Sequence, residues 1–204
     1  MSDEIIHSDE NQTPEQTPQE KKSSPKLDLY YWTQALVMVL ILLILICTLV
    51  GRVIGVVGSS MVPTLHDGDM LLLQSLGYTP KQGDVVVLRK PGFPAPPQDT
   101  APIVKRVIAV GGQHVRVDYD AGAVYVDGVA LDEPYILEHM TDHYSPEMNV
   151  LDVTVPQGSI YVLGDNRNHS SDSRHEALGT VDCRYVLGRV LGVIWPLSDF
   201  GTVD

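Results

Sequence analysis

Cysteine and aromatic residues are scarce in this chain. Among 204 residues there are 2 cysteines, and Phe, Trp and Tyr together make up 6%. Cys47 lies inside a long apolar run and Cys183 lies near the far end, so we expect no disulfide between them. The sequence therefore excludes a small fold that is held together by a framework of disulfides.

Positive charge is also scarce. The chain has 14 Lys and Arg residues against 26 Asp and Glu residues, which gives a formal net charge of −12. Phosphate binding needs clustered positive charge, so this balance argues against a nucleic-acid partner. No Lys or Arg stands between Arg116 and Arg167. We interpret this acidic stretch as a small inserted cap with a solvated surface, over about residues 111–158.

Charge of either sign is absent between Asp28 and Arg52. At about 1.5 Å per residue, a helix over residues 29–51 is about 34 Å long, enough to cross the hydrocarbon core of a membrane. The run is apolar on all sides and too long for a signal peptide, which disfavours a buried soluble helix and a cleaved leader. We therefore predict a transmembrane helix over 29–51, after a disordered polar tail over 1–28.

Lys and Arg are distributed unevenly around the predicted span. Three lysines precede it closely, whereas Arg52 follows it and the next basic residue is Lys81. The positive-inside rule then places the N-terminus in the cytoplasm. Residues 52–204 are therefore predicted to form the extracytoplasmic domain of a single-pass cell-membrane protein.

The predicted extracytoplasmic domain is rich in β signals. Short runs of Val, Leu, Ile and Tyr recur, and Gly, Pro or Asp bounds most of them. YDAGA and VDGV are typical of hairpin turns, where Gly supplies a positive φ. The Pro-rich segment 89–102 is predicted to link strands, because Pro cannot donate to a sheet. The spacing predicts a mostly β fold, an antiparallel sandwich or barrel.

Two neighbouring cations, Lys105 and Arg106, interrupt the apolar strand PIVKRVIAVGG. Alternation along a strand places them on opposite faces. It also assigns the apolar residues of the strand to two sets: Ile103, Val107 and Ala109 beside the lysine, and Val104, Ile108 and Val110 beside the arginine. Lys105 then either extends its head to water, or is desolvated with a lowered pKa that lets it act as a general base.

The segment GSSMVPTL contains the candidate nucleophile. Ser59 and Ser60 could belong to a turn, and a serine hydroxyl is a weak nucleophile without a base nearby. Histidine usually is that base, but His7 precedes the predicted span and the other histidines show no triad pattern. A pair of serine and lysine is the alternative that this sequence offers.

A long polar segment, GDNRNHSSDSR at residues 164–174, directly follows the apolar run SIYVL. A solvated loop is the simpler interpretation. Its mixture of acidic and basic residues could instead form a fixed polar network that orients a neighbouring site.

Four segments in this order after an N-terminal apolar run resemble bacterial type I signal peptidases: SSMVPTL, GDVVVLR, VKRVIAVGG and GDNRNHSSDSR. The single predicted span and the short insertion resemble the compact Gram-positive branch. The resemblance implies a β catalytic domain with a small β insertion. It also implies a membrane-anchored serine endopeptidase, which removes signal peptides after small-x-small sites. It implies no cofactor and no metal; the partners are signal peptides of secreted preproteins, membrane lipid and nearby secretion machinery.

The resemblance also implies roles for individual residues. Ser60, which directly precedes the methionine, corresponds to the nucleophile, and Lys105 corresponds to the general base. Ser170 corresponds to a loop serine that hydrogen-bonds the lysine. Asp172 and Arg174 correspond to the pair that holds the site together.

Four further positions bear on the comparison with the family. Met61 corresponds to a residue that shapes the substrate pocket. Gly58 stands where some members carry Ser or Thr, whose hydroxyl helps to bind the oxyanion, although the compact branch resembles this chain there. The oxyanion region then consists of Gly58 and the backbone N–H of Ser60, with a second donor not identified. Asn168 and His169 also replace the more usual acidic and amide residues.

Several alternatives remain open. An anchored β-domain that binds extracellular ligands explains the span and strands, but not the serine, the lysine and the polar loop together. A self-cleaving repressor-type protease has a similar core but is soluble and binds DNA, and an endoplasmic-reticulum signal peptidase would carry His at Lys105. In LEHMTDH, His139 and His143 are four residues apart and could chelate a metal on a helix. The segment is short, flanked by prolines and loop-like, so a polar surface is the preferred interpretation.

Overall fold

The computed structural model describes residues 25–49, 51–93, 101–141 and 147–203. Residues 1–24 of the predicted disordered tail and residues 94–100 of the Pro-rich segment lie outside these ranges. The described chain is one α-helix followed by short strands and a 3₁₀ turn: α1 Pro25–Leu49, β1 Gly51–Gly55, β2 Met70–Gln74, β3 Val85–Leu88, β4 Ile103–Val110, β5 His114–Asp118, β6 Ala123–Val126, β7 Val129–Ala130, β8 Asp152–Thr154, β9 Ser159–Leu163, β10 Val181–Asp182, the 3₁₀ turn Cys183–Tyr185, β11 Val186–Trp195 and β12 Gly201–Thr202.

Helix α1 covers most of the predicted span. It begins at Pro25, four residues before the predicted start, because Pro is tolerated in the first turn of a helix. Within the described part of the chain, α1 is the one helix long and apolar enough to cross a membrane, over Pro25–Leu45. The side chains along this stretch are exposed, as expected for a helix whose apolar residues occupy every side.

The larger sheet contains eight strands in the order β1-β2-β11-β3-β4-β9-β10, with β12 also paired to β11. All of its pairings are antiparallel, as the sequence predicted. Strand β1, which follows α1 in the chain, lies at one edge of this order. The mostly β fold with an N-terminal apolar helix is therefore confirmed.

The smaller sheet contains four antiparallel strands in the order β7-β6-β5-β8. It occupies the acidic stretch that the sequence indicated as an inserted cap. Its polar exterior covers a packed interior, since Val115, Val117 and Val124 of this sheet cluster with Tyr161 and Leu163 of β9. The small sheet thus packs against the strand that leads into the polar segment 164–174.

The strict alternation predicted along β4 is wrong beyond Val107. The register between β4 and β9 shifts between Val107 and Ala109. As a result, Val107 and Val110 pack into one apolar cluster, while Ile108 and Ala109 pack into another. An irregularity of this kind adds a residue to one strand and reverses the faces that follow it.

Candidate active site

Ser60 and Lys105 are brought together although 45 residues separate them in the chain. Ser60 lies on the loop after β1, and Lys105 lies in β4. The lysine Nζ is 2.8 Å from the serine Oγ and donates a second hydrogen bond of 2.9 Å to the carbonyl oxygen of Val104. Only 3% of Lys105 is exposed. The interpretation that this lysine extends its head to water is therefore wrong.

Burial changes the acidity of the lysine. The pKa of Lys105 is lowered from 10.5 to about 8, chiefly by desolvation, and the Arg174 guanidinium acts in the same direction. The carboxylates of Asp172 and Asp165 oppose that shift, because a nearby negative charge favours the protonated amine. With a pKa of about 8, about one lysine in ten is neutral at pH 7. Lys105 can therefore accept a proton under physiological conditions.

The backbone of the nucleophile segment is held by Asn166. Its backbone N–H donates to the carbonyl oxygen of Ser60 at 3.1 Å, and its Nδ2 donates to that of Ser59 at 3.1 Å. Among the described residues, the N–H of Ser60 itself donates to no protein acceptor. It is therefore free to donate to an oxyanion that forms beside Ser60 Oγ.

Gly58 has a conformational reason to be glycine. Its φ is +94°, a region that other residues rarely adopt, and a Cβ built there would have no atom within 4 Å. The backbone N–H of Gly58 donates to Asp67 Oδ1 at 2.7 Å. That N–H is therefore already engaged, so Gly58 contributes a turn before the nucleophile rather than a second donor in this conformation.

Ser170 lies beside the nucleophile but does not make the hydrogen bond predicted from the resemblance. It is buried, and a Cβ added to Gly164 would lie 2.5 Å from both Ser170 Cβ and the Ser60 carbonyl oxygen, so only glycine fits between them. Within the described residues, Ser170 Oγ has no hydrogen-bond partner. Lys105 Nζ is instead directed to Ser60 and to its own strand.

Asp172 and Arg174 form a fully buried pair in the polar segment. Arg174 Nε donates to Asp172 Oδ1 and Arg174 Nη2 donates to Asp172 Oδ2, both at 2.8 Å. Asp172 also accepts from the N–H of Gly164 at 3.1 Å. Burial alone would raise the pKa of Asp172, but the guanidinium outweighs it and holds the pKa below its usual range. The interpretation of this segment as a solvated loop is therefore wrong.

A cleft with a volume of about 150 Å³ opens beside the serine and lysine. Ser60 and Lys105 supply its polar groups. Its other walls come from the end of β1 and the residues after it, and from the start of β4 and the residues before it. Most of those walls are apolar: Ile54, Val56, Val57, Met61, Pro102 and Ile103. Met61 is almost fully buried, so it shapes the wall next to the nucleophile. A serine hydroxyl beside a buried amine is an arrangement that suits acyl transfer.

A comparison with known families decides the assignment. The family model described as "Signal peptidase, peptidase S26" matches residues 29–195. This chain belongs to the signal peptidase family.

Known members of the family are similar to much of this signal peptidase. A signal peptidase I of Bacillus licheniformis is 31% identical over 199 residues, which cover 91% of this chain and 99% of that protein. Signal peptidase IB of Staphylococcus aureus (strain Mu50) is 33% identical over 190 residues, which cover 86% of this chain and 94% of that protein. A crystal structure of signal peptidase I from Enterococcus faecalis V583 shares 29% identity over 55% of this chain and 97% of that chain, with a TM-score of 0.40.

These relationships confirm the predicted family. The protein is a serine peptidase of the signal peptidase I type, and its substrates are preproteins that carry signal peptides. Helix α1 is consistent with the membrane anchoring of the family.

The structure shows contacts of Arg106, Thr64 and Asp165 that the sequence did not predict. Arg106 Nε and Nη2 donate to the Asp165 carboxylate at 2.9 and 2.8 Å, and Thr64 Oγ1 donates to the same carboxylate at 2.5 Å. Asp165 thus connects the segment of the nucleophile to the strand of the lysine. The polar segment made Asp165 a candidate from the sequence. No local pattern reveals that Arg106 is buried against Asp165, or that Asn166 is buried beside Ser60.

No metal site is assigned to this signal peptidase. Asp142 and His143 of the segment LEHMTDH lie outside the described residues, and His139 is exposed. Among the described residues, His66, Asp69 and Asp199 have ligand atoms within 4.8 Å of one another. Two of these three are exposed, and Asp69 already accepts from the N–H of His66 at 2.8 Å, so the cluster alone indicates no ion.

The buried lysine predicts how stability depends on pH. The pKa of Lys105 is about 8 in the folded protein and 10.5 when it is unperturbed. Between these values the unfolded chain binds the proton and the folded chain does not, so stability rises with pH. Replacing Lys105→Met should stabilise the protein by about 3 kcal/mol below pH 8, and this gain should vanish near pH 10.5.

Urea unfolding of the wild type and the Lys105→Met variant at pH values from 6 to 10.5 measures this difference. All other titrating groups are common to both proteins, so they cancel. A difference in unfolding free energy that does not change with pH would show that the amine is not desolvated in the folded state.

Proposed function

We propose that Ser60 and Lys105 are the catalytic dyad of this signal peptidase. The observation that carries the proposal is the 2.8 Å contact between Lys105 Nζ and Ser60 Oγ. It is made by a lysine that is buried and has a lowered pKa. A serine beside a base with a pKa near the working pH is the arrangement that nucleophilic catalysis needs.

The proposed reaction has two stages. Neutral Lys105 accepts the proton of Ser60 Oγ, and the oxygen attacks the carbonyl carbon of the scissile peptide bond. The resulting oxyanion accepts a hydrogen bond from the N–H of Ser60, and Lys105 returns its proton to the leaving amine. A water molecule, deprotonated by Lys105, then attacks the acyl-enzyme, and the serine is released with its proton restored.

Three residues of the polar segment are proposed to position the dyad. The negative charge of the Asp172 carboxylate raises the pKa of Lys105, and Arg174 holds that carboxylate in place. Ser170 packs against Gly164 next to the nucleophile, and its hydroxyl has no hydrogen-bond partner among the described residues. A change of its side-chain rotamer would allow the hydroxyl to form a new hydrogen bond. Gly58 and the N–H of Ser60 form the proposed oxyanion region, with Gly58 supplying the turn.

Specificity for small-x-small sites is proposed from the cleft. Its volume of about 150 Å³ and its apolar walls, which include Met61, favour small uncharged side chains. Strand β1 is an edge of the larger sheet, so an extended substrate can pair with its free main-chain groups. Main-chain pairing would provide affinity for many sequences, and the narrow cleft would restrict the residues beside the scissile bond.

The proposed location follows from the distribution of charge around the anchor. Lysines precede α1 and Arg52 follows it, which favours a cytoplasmic N-terminus and an extracytoplasmic catalytic domain over 52–204. Ser60 is only eight residues beyond Arg52, so the chain keeps the nucleophile within reach of the membrane surface, where preproteins emerge. Membrane lipid and nearby secretion machinery are the partners expected there.

A non-enzymatic binding domain is the weaker alternative. It gives no reason for an amine to be desolvated beside a hydroxyl, an arrangement that costs stability and serves proton transfer.

The dyad predicts which substitutions abolish cleavage. Ser60→Ala and Lys105→Ala should each lose turnover by at least about 10³-fold, because members of such a unit cannot replace one another. Lys105→Arg should be equally inactive, since a guanidinium keeps its proton near neutral pH. The assay is cleavage of a purified preprotein with an Ala-x-Ala site, with the new N-terminus read by mass spectrometry.

Ser59→Ala is the matched control, because this exposed neighbour has no part in the proposed reaction and should retain activity. Near-normal turnover in either dyad variant would refute the dyad. A product cut elsewhere than after the small-x-small site would refute the specificity alone.

The lowered pKa predicts the pH profile of catalysis. Because only neutral Lys105 accepts the proton, kcat/KM should rise as pH increases and level off above about 8. Rates on a signal-peptide substrate measured from about pH 6 to 10 test this. A rise centred near 10.5, the ordinary lysine value, would contradict the role of burial.

The proposed orientation predicts protection from protease. In sealed spheroplasts, external proteinase K should degrade the catalytic domain but leave an N-terminal epitope tag on a protected fragment. A cytoplasmic marker protein that stays intact is the control for sealing. Protection of the catalytic domain with loss of the tag would reverse the orientation.

A further inference from the structure

The chain after β7 contacts the polar segment from the side of the small sheet. Within residues 131–137, Glu133 and Tyr135 each contact a buried guanidinium, and the N–H of Leu137 donates to the carbonyl oxygen of Asp165 at 3.2 Å. None of these residues lines the cleft beside Ser60. They therefore contact the buried residues behind the dyad and do not line the cleft that is proposed to bind the substrate.

Tyr135 covers the arginine next to the base. The Arg106 Cζ lies 4.0 Å from the centroid of the Tyr135 ring. The same guanidinium donates to Asp165 and, at 2.9 Å, to the carbonyl oxygen of Gly83. Arg106 is 1% exposed and directly follows Lys105 in β4. The residue next to the base is therefore held by contacts of its guanidinium with Tyr135, Asp165 and Gly83.

Glu133 neutralises a second buried arginine. Arg167 Nη1 and Nη2 donate to its two carboxylate oxygens at 2.9 and 2.5 Å. The two side chains are 0% and 6% exposed. Arg167 Nε donates to the carbonyl oxygen of Gly164 at 3.0 Å, and Gly164 packs against the carbonyl of Ser60. The Arg167 side chain thus supports the backbone directly behind the nucleophile.

One hydrogen bond joins these two contacts. Tyr135 donates its hydroxyl proton to Glu133 Oε1 at 3.1 Å. Burial raises the pKa of Tyr135, and the Glu133 carboxylate raises it too, so the hydroxyl stays a donor. The result is a continuous path from the strand of Lys105, through Arg106, Tyr135, Glu133 and Arg167, to the backbone behind Ser60.

We propose that Glu133 and Tyr135 are positioning residues, which set the distance between the base and the nucleophile by holding Arg106 and Arg167. The proposal rests on Ser60 and Lys105 being the dyad. The small sheet then has a role beyond its own stability, because the segment that follows its strand β7 braces the active site from behind. Displacements of about 1 Å at reacting groups can lower turnover by as much as about 10²-fold.

The alternative is that these residues only stabilise the fold. A buried guanidinium that loses its carboxylate is costly, so a loss of stability alone would be no surprise. The two roles differ in what they do to folded enzyme. A stabilising residue changes how much enzyme is folded, whereas a positioning residue changes the turnover of each folded molecule and the environment of Lys105.

The test compares Glu133→Gln, Tyr135→Leu and Tyr135→Phe in the full chain, held in detergent micelles. Steady-state cleavage of a preprotein gives kcat and KM, and thermal unfolding gives the folded fraction at the assay temperature. Glu133→Gln and Tyr135→Leu should lower kcat by roughly 10- to 100-fold, with KM within about twofold, because the cleft is unchanged. Tyr135→Phe keeps the ring over Arg106 and should lose much less.

The pH profile is the readout that stability alone would not move. In Glu133→Gln the charge of Arg167 is no longer balanced, and added positive charge favours neutral Lys105. The rise of kcat/KM should therefore shift to lower pH, although its plateau is lower. The charged groups that act on the lysine in the wild type, Asp172, Asp165 and Arg174, are unchanged in this variant.

The small sheet offers matched controls. Tyr125 stacks on Arg116 at 4.4 Å, and Asp118 pairs with the same arginine at 3.0 Å. These are the same kinds of contact, on a partly exposed arginine in β5. Tyr125→Leu and Asp118→Asn should leave kcat and the pH profile of folded enzyme unchanged.

Each outcome decides between the roles. The positioning role is overturned if kcat falls only as the folded fraction falls and the pH profile stays in place. It is also overturned if the Arg116 controls lose the same turnover, or if none of the three variants is folded at the assay temperature. Ser60→Ala in the same series separates the two proposals: residual turnover there refutes the dyad, whereas an inactive Ser60→Ala with a normal Glu133→Gln refutes only the positioning role.

Discussion

The desolvation of one amine is the constraint on which this signal peptidase depends. Lys105 has to be buried to lose its proton near neutral pH, and the proposed dyad also requires it to lie within hydrogen-bond distance of Ser60. Burial of a cation opposes folding, so the surrounding protein must hold the lysine in place against water. The hydrogen bond to the Val104 carbonyl and the apolar strands on either side of β4 do so.

The polar segment solves the opposite problem, because it buries charges that must stay charged. Asp172 with Arg174 and Asp165 with Arg106 are paired through two hydrogen bonds each, and all four residues are almost completely buried. Paired carboxylates and guanidinium groups retain directional contacts where water is excluded. The segment can therefore fix the backbone behind Ser60, while the amine of Lys105 remains the group that is proposed to exchange a proton.

The sequence predicted the fold class and the pairing of Ser60 with Lys105, but only part of their surroundings. Alternating apolar runs and the resemblance of four segments were enough for a β domain containing Ser60 and Lys105. The predicted hydrogen bond from Ser170 to the lysine is not formed in this structure, and the irregularity at Val107 reverses the faces of β4. The support given by Asn166 was not predicted, because it arises between segments more than 100 residues apart.

By itself, the sequence determined the apolar helix, the strand-forming runs and the presence of a serine, a lysine and a polar segment, since these depend on local composition and spacing. Only the tertiary structure decided that Lys105 is desolvated and that Arg106 and Arg167 are buried. It also decided that Tyr135 contacts Arg106 and that Glu133 contacts Arg167. The physical reason is that the pKa of an amine and the cost of a buried charge are set by surrounding atoms. Those atoms come from strands and loops that are distant in the chain and meet only when the two sheets pack together.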